Sequence, residues 1–110
     1  MIKILVKYTN SLCSFVEVSG HANYADRGYD IVCSGVTTAT YTSINLIEKI
    51  NSKCFKLDVK EAAGFLHLDL NYQGLKNQDI EFIQLIITNL IDMYEEIKRN
   101  YPECLKIEIL

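Results

Sequence analysis

Apolar and polar positions alternate from the start of the chain. Ile2, Ile4 and Val6 stand opposite Lys3 and Lys7, and Val16 and Val18 stand opposite Glu17 and Ser19. The spacing predicts two strands, Ile2 to Tyr8 and Phe15 to Ser19, each with one buried and one wet face. Thr9-Asn10-Ser11 is a cluster of turn-forming side chains that joins them into a hairpin. The second strand ends at Gly20-His21. Residues 22–29 have no consistent period and contain Asn, Asp and Gly, the composition of a mobile loop. Asp30 then reads as an N-cap. Beyond it Val36, Ala39, Ser43, Leu46, Ile47 and Ile50 recur at three and four, predicting an amphipathic helix that ends near Asn51. Its threonines and valines are mediocre helix formers, so propensity alone also allows a strand from Val32 to Thr38. The uncharged run from Ile31 to Ile47 is too long for one strand and decides for helix.

Alternation returns in Phe55, Leu57 and Val59 and again in Leu66, Leu68 and Leu70, around an Ala62-Ala63-Gly64 turn, and predicts a second hairpin. From Gln78 to Tyr101 the set Ile80, Ile83, Ile87, Leu90, Tyr94 and Ile97 keeps helical spacing against Glu81, Gln84, Asp92, Glu95 and Arg99. Ile86, Ile91 and Met93 widen its apolar face into a candidate self-association surface. Pro102 closes this helix, and Leu105, Ile107 and Ile109 form a last strand. The order ββαββαβ predicts a single α+β domain, 1–110, with a mainly antiparallel sheet covered by two helices.

Composition narrows the function. The chain has 110 residues, of which 49% are hydrophobic, enough for one compact core. Eleven basic against 14 acidic residues give a net charge of -3, so no positive field exists to condense on phosphate backbones and direct nucleic-acid binding is not expected. Met1 leads straight into the first strand with no signal-peptide pattern, and the longest uncharged run is too short and too polar to span a bilayer. A cytoplasmic protein is expected. Cysteines 13, 33, 54 and 104 form no C-x-x-C pair and have no histidine at ligand spacing, so reduced thiols are expected, with no metal and no cofactor.

Two histidines restrict the search for a base that works near neutral pH. His67 lies mid-strand between leucines and reads as a surface position. His21 stands where a strand hands over to a loop, a place where catalytic groups concentrate. Cys33 falls three residues after Asp30, in the predicted first turn, where free N–H groups and the helix dipole stabilise a thiolate. His21 as base, Cys33 as nucleophile and the N–H groups of Cys33 and Ser34 as oxyanion donors would make an acyl-transfer site. Thr37 is one turn beyond Cys33, where its hydroxyl either assists the site or bonds back to a carbonyl. Asp26 and Asp30 read more simply as loop polarity and cap than as a third catalytic member. Cys13, Cys54 and Cys104 lie at strand ends and read as packed thiols, the commoner fate of a cysteine.

Gly20-His21-Ala22 followed by Gly28-Tyr29-Asp30-Ile31-Val32-Cys33 resembles the signature of the ribosomal-processing cysteine proteases, found chiefly in Firmicutes and related bacteria. Length and element order resemble that family across essentially the whole chain. The resemblance implies a dyad of His21 and Cys33 and a homodimer. It also implies a ribosomal protein as substrate: removal of a short N-terminal extension from large-subunit ribosomal protein twenty-seven, after a phenylalanine-containing hydrophobic segment. The loop would gate the site, with Tyr24, Asp26 and Tyr29 meeting the substrate. The family usually reads C-A-A-V-S where this chain has Cys33-Ser34-Gly35-Val36-Thr37. Thr37 keeps the hydroxyl with a stiffer side chain, and Gly35 costs the helix about 1 kcal/mol relative to alanine. A non-catalytic ribosome-assembly or scaffold protein with the same fold is the alternative. A metal site built on His21, Cys33 and an aspartate ranks below it for want of a fourth ligand.

Overall fold

The computed structural model describes residues 1–20 and 27–110, with side chains over 1–20 and 31–110. Five strands and two long helices follow in the order β1 (Ile2–Thr9), β2 (Leu12–Ser19), α1 (Arg27–Ile50), β3 (Phe55–Lys60), β4 (Phe65–Leu70), α2 (Asn77–Asn100) and β5 (Leu105–Ile109), with a single 3₁₀ turn at Glu61–Ala63 between β3 and β4. The strands lie side by side as β3-β4-β2-β1-β5, antiparallel except where β5 runs parallel to β1. The fold is the α+β arrangement with ββαββαβ order that the pattern predicts.

Side-chain alternation places Ile2, Ile4 and Val6 of β1 and Leu66 and Leu68 of β4 on the face that meets the helices, all of them buried. α1 adds Val32, Val36, Ala39, Ile44 and Ile47, and α2 adds Ile83, Ile87, Leu90 and Tyr94. Thr40 is as buried as these. Its hydroxyl donates to the Val36 carbonyl at 2.7 Å, which leaves its oxygen to accept from the Tyr94 hydroxyl at 2.6 Å. This bond ties the two helices inside the core.

β2 begins three residues before the predicted Phe15. Lys7 pairs with Phe15 but Tyr8 pairs with Cys13, so Ser14 is an extra residue that bulges the strand. The bulge turns both Cys13 and Val16 inward, breaking the period of two that marks a strand in sequence. The turn before it is tight: Asn10 and Ser11 have φ of 52° and 67°, the two left-handed positions that match the twist of a hairpin.

The helix start also differs. α1 begins at Arg27, so residues 27–29, expected in the loop, are helical and Asp30 lies inside the helix rather than at its cap, while the rest of the expected loop, 22–26, lies outside the described residues. Gly28 and Asp30 have weak helix propensity, but packing of the Val32 and Val36 face onto the sheet fixes the helix and the backbone ladder extends N-terminally from it. Two side chains also change places. Leu46, expected in the buried stripe of α1, is 44% exposed, with Thr40 and Ile44 inside instead. Gln84, expected on the wet face of α2, accepts the Cys13 N–H at 3.0 Å.

Candidate active site

Cys33 sits on a stripe of α1, with Val36, Thr37, Thr40 and Tyr41 following at helical spacing, and this stripe forms one wall of a cavity of about 350 Å³. The opposite wall is the end of the sheet: Ile2, Val18, Val59 and Leu66 from the helix-facing side, and Glu61, Gly64 and Phe65 from the hairpin between β3 and β4. Cys33 is half-buried against the core, so its sulfur is held in place while still reachable from the cavity. The remaining thiols, Cys13, Cys54 and Cys104, are buried and lie outside this cavity. Burial pushes the Cys13 thiol up to about 11 and raises that of Cys54, so both stay protonated and unreactive at neutral pH.

The helix start at Arg27 makes Cys33 the seventh helical residue. It therefore lies in the second turn, not the first, and the N–H groups of Cys33 and Ser34 fall within the i→i−4 ladder. They are not oxyanion donors, and the dipole of the helix end has largely decayed at that depth. Thr37 lines the cavity together with Cys33, while Ser34 is exposed and does not. Thr40 and Ser43 bond back to the carbonyls of Val36 and Ala39, but Thr37 makes no such bond among the described residues. Its hydroxyl is available to the cavity.

Gly35 faces away from the cavity, where a Cβ would stand 3.3 Å from Cδ1 of Ile97. This glycine lets α1 approach α2 closely, so its cost in helix propensity goes with a packing role.

Gly20 brings the chain to the cavity edge. Its φ is +108°, and a Cβ there would lie 2.3 Å from the Met1 carbonyl oxygen, so both backbone and space require glycine. Its N–H donates to the Gly64 carbonyl at 3.0 Å, joining the end of β2 to the hairpin. The next residue is His21. His21, Tyr24 and Asp26 lie outside the described residues, and Tyr29 lies on α1 with its side chain likewise outside them.

The sequence pattern gave no sign of Tyr41, Glu61 or Phe65 as site residues. Tyr41 is detectable in retrospect as two turns beyond Cys33 on the same stripe, whereas Glu61 and Phe65 arrive through strand pairing. His67 lies on the sheet face turned away from the helices. Its Nδ1 is 3.0 Å from Glu17, its Nε2 is 3.2 Å from Asp69, and its ring stacks on Phe65 with centroids 6.3 Å apart. It is a paired surface histidine, remote in role from Cys33. Among the described residues no helix is long and apolar enough to cross a membrane.

Comparison with known proteins places this geometry. A family model described as cysteine protease Prp matches residues 1–106. The ribosomal processing cysteine protease Prp of Bacillus subtilis is 31% identical over 91 residues, 83% of this chain and 80% of that protein. Its namesake from Staphylococcus aureus strain Mu50 is 25% identical over 92 residues, 84% of this chain and 82% of that protein. The crystal structure of an essential ribosomal processing protease Prp from S. aureus, in complex with a substrate peptide, superposes with a TM-score of 0.84 over 100% of both chains. At 21% identity it speaks for the fold.

Proposed function

This chain belongs to the cysteine protease Prp family, and on that premise we propose that it is the endopeptidase that removes the N-terminal extension of large-subunit ribosomal protein twenty-seven during ribosome assembly. The observation that carries the reading is Cys33, half-buried yet facing an apolar cavity of about 350 Å³ whose rim residue Gly20 immediately precedes His21. The cavity walls, Val18, Val36, Val59, Phe65 and Leu66, suit the hydrophobic, phenylalanine-containing segment before the cut. His21 takes the thiol proton, and the Cys33 sulfur attacks the scissile carbonyl. His21 then returns the proton to the departing amine, leaving a thioester on Cys33. Water, deprotonated by the same imidazole, hydrolyses that thioester and regenerates the thiol. Thr37, one turn on, donates its hydroxyl to the reacting carbonyl or to the substrate backbone. Tyr24, Asp26 and Tyr29 contact the bound extension.

The proposed enzyme works in the cytoplasm, needs no metal or cofactor, and acts as a homodimer. The apolar residues most exposed on α2 are Phe82 and Leu85 at 47% and 65%, whereas Ile86, Ile91 and Met93, expected to widen that face, pack against the core. Cleavage of a peptide spanning the extension and its junction, by wild type and by Cys33→Ala and His21→Ala, tests the reading. Cutting by wild type alone supports it. An intact peptide with folded wild type replaces it with the non-catalytic scaffold.

A further inference from the structure

We propose that Glu61 gives this site a preference for substrates carrying a lysine or arginine within a few residues of the scissile bond, an inference that rests on the protease reading above. Glu61 is the one charged side chain among the described residues lining the cavity, whose other walls are apolar or carry only hydroxyls and the Cys33 thiol. It has no ion-pair partner among the described residues. The neighbouring cation, Lys60, forms no ion pair with it, its ammonium lying instead 5.8 Å from the centroid of the Phe65 ring.

The base of this carboxylate is fixed. The Glu61 carbonyl accepts the Gly64 N–H at 3.0 Å, closing the 3₁₀ turn, and the Gly64 carbonyl accepts the Gly20 N–H at 3.0 Å, clamping that turn to the end of β2. Glu61 is thus rooted on the same framework as the residue before His21, while its exposed side chain is free to meet a ligand. Lysine and arginine suit such a wall, because their stems lie along apolar surface while the head reaches a carboxylate. Cys33 and Glu61 share one cavity, so a cation held by Glu61 belongs to a residue near the bond being cut. An exposed pair of this kind is worth about a two- to fivefold preference at low salt and less at high salt.

The test uses a peptide set with one constant apolar segment and a single lysine placed at successive positions around the cut, each paired with its glutamine and glutamate counterparts. Wild type is expected to cut the best lysine peptide about two- to fivefold more efficiently than its glutamine counterpart, through KM, with the ratio falling in high salt. Glu61→Gln should bring that ratio to one, and Glu61→Lys should reverse it toward the glutamate peptide. A lysine preference that persists unchanged in Glu61→Gln, or is absent at every position in wild type, overturns the proposal. Binding of the same peptides to Cys33→Ala, read by fluorescence anisotropy, separates the two ideas. A charge preference there that depends on Glu61 sustains the recognition role even if no peptide is cut, in which case it is the protease reading that fails.

Discussion

The backbone N–H of Gly20 donates to the carbonyl of Gly64, 3.0 Å away, and so binds the end of a central strand to the hairpin that forms the far wall of the cavity. No other residue type fits at position 20, with φ at +108° and the Met1 carbonyl 2.3 Å from where a Cβ would go. Gly20→Ala is expected to cost at least about 2 kcal/mol of stability, visible as a lowered urea midpoint, and to depress cleavage further by displacing the start of the following segment. A variant with wild-type stability and rate would show that the backbone relaxes there without cost.

Thiol chemistry distinguishes the cysteines. Cys33 is half-buried at a cavity, whereas Cys13 is buried with its thiol pushed up to about 11 and Cys54 is buried with its thiol raised. Substoichiometric iodoacetamide at neutral pH should place the first adduct on Cys33, mapped by mass spectrometry, and activity should fall in step with that adduct. First labelling at Cys13 would mean that the β2 bulge opens readily.

The Thr40–Tyr94 bond predicts an order of effects. Thr40→Val strands the Tyr94 hydroxyl in the core and should cost about 1–3 kcal/mol. Tyr94→Phe removes the donor but leaves Thr40 bonded to the Val36 carbonyl, and should cost less. Chemical denaturation of the two variants side by side checks the ranking, and equal costs would count against it.

His67 predicts a pH dependence of stability. Burial alone would lower its pKa, but the carboxylates of Glu17 and Asp69 outweigh burial and hold it above the ordinary value. A folded pKa above the unfolded one means that the contribution is complete below the unfolded value of about 6.5 and is lost as pH rises through the folded value. Wild type should therefore exceed His67→Gln in melting temperature at pH 5, with the gap closing above neutrality. A gap that widens with pH would reverse the assignment.

Much of the fold is written in local periodicity. β1 and α2 alternate or repeat cleanly because each buries one face, β3 and β5 alternate in sequence although Leu57 and Ile109 remain exposed, and the boundaries of all four follow to within a residue or so. The exceptions have physical causes. The Ser14 bulge interrupts the period at the start of β2. α1 begins early because sheet packing of Val32 and Val36 outweighs the weak propensity of Gly28 and Asp30. For the site, Cys33 and Thr37 are legible as two residues one helical turn apart. Gly20 is legible as part of a motif, but its reason, the nearness of the Met1 carbonyl, depends on how β1 and β2 align. Glu61 and Phe65 depend on register across three strands, which no single segment encodes.

The parallel pairing of β5 with β1 joins Ile2 to Leu105, nearly the two ends of the described chain. Ile2 also lines the cavity. β5 is therefore the outer neighbour of β1, and no other described segment occupies that place in the sheet. The placement of Ile2 in the wall beneath Cys33 thus rests on a pairing between segments far apart in sequence, whose closure carries the entropy of a long loop.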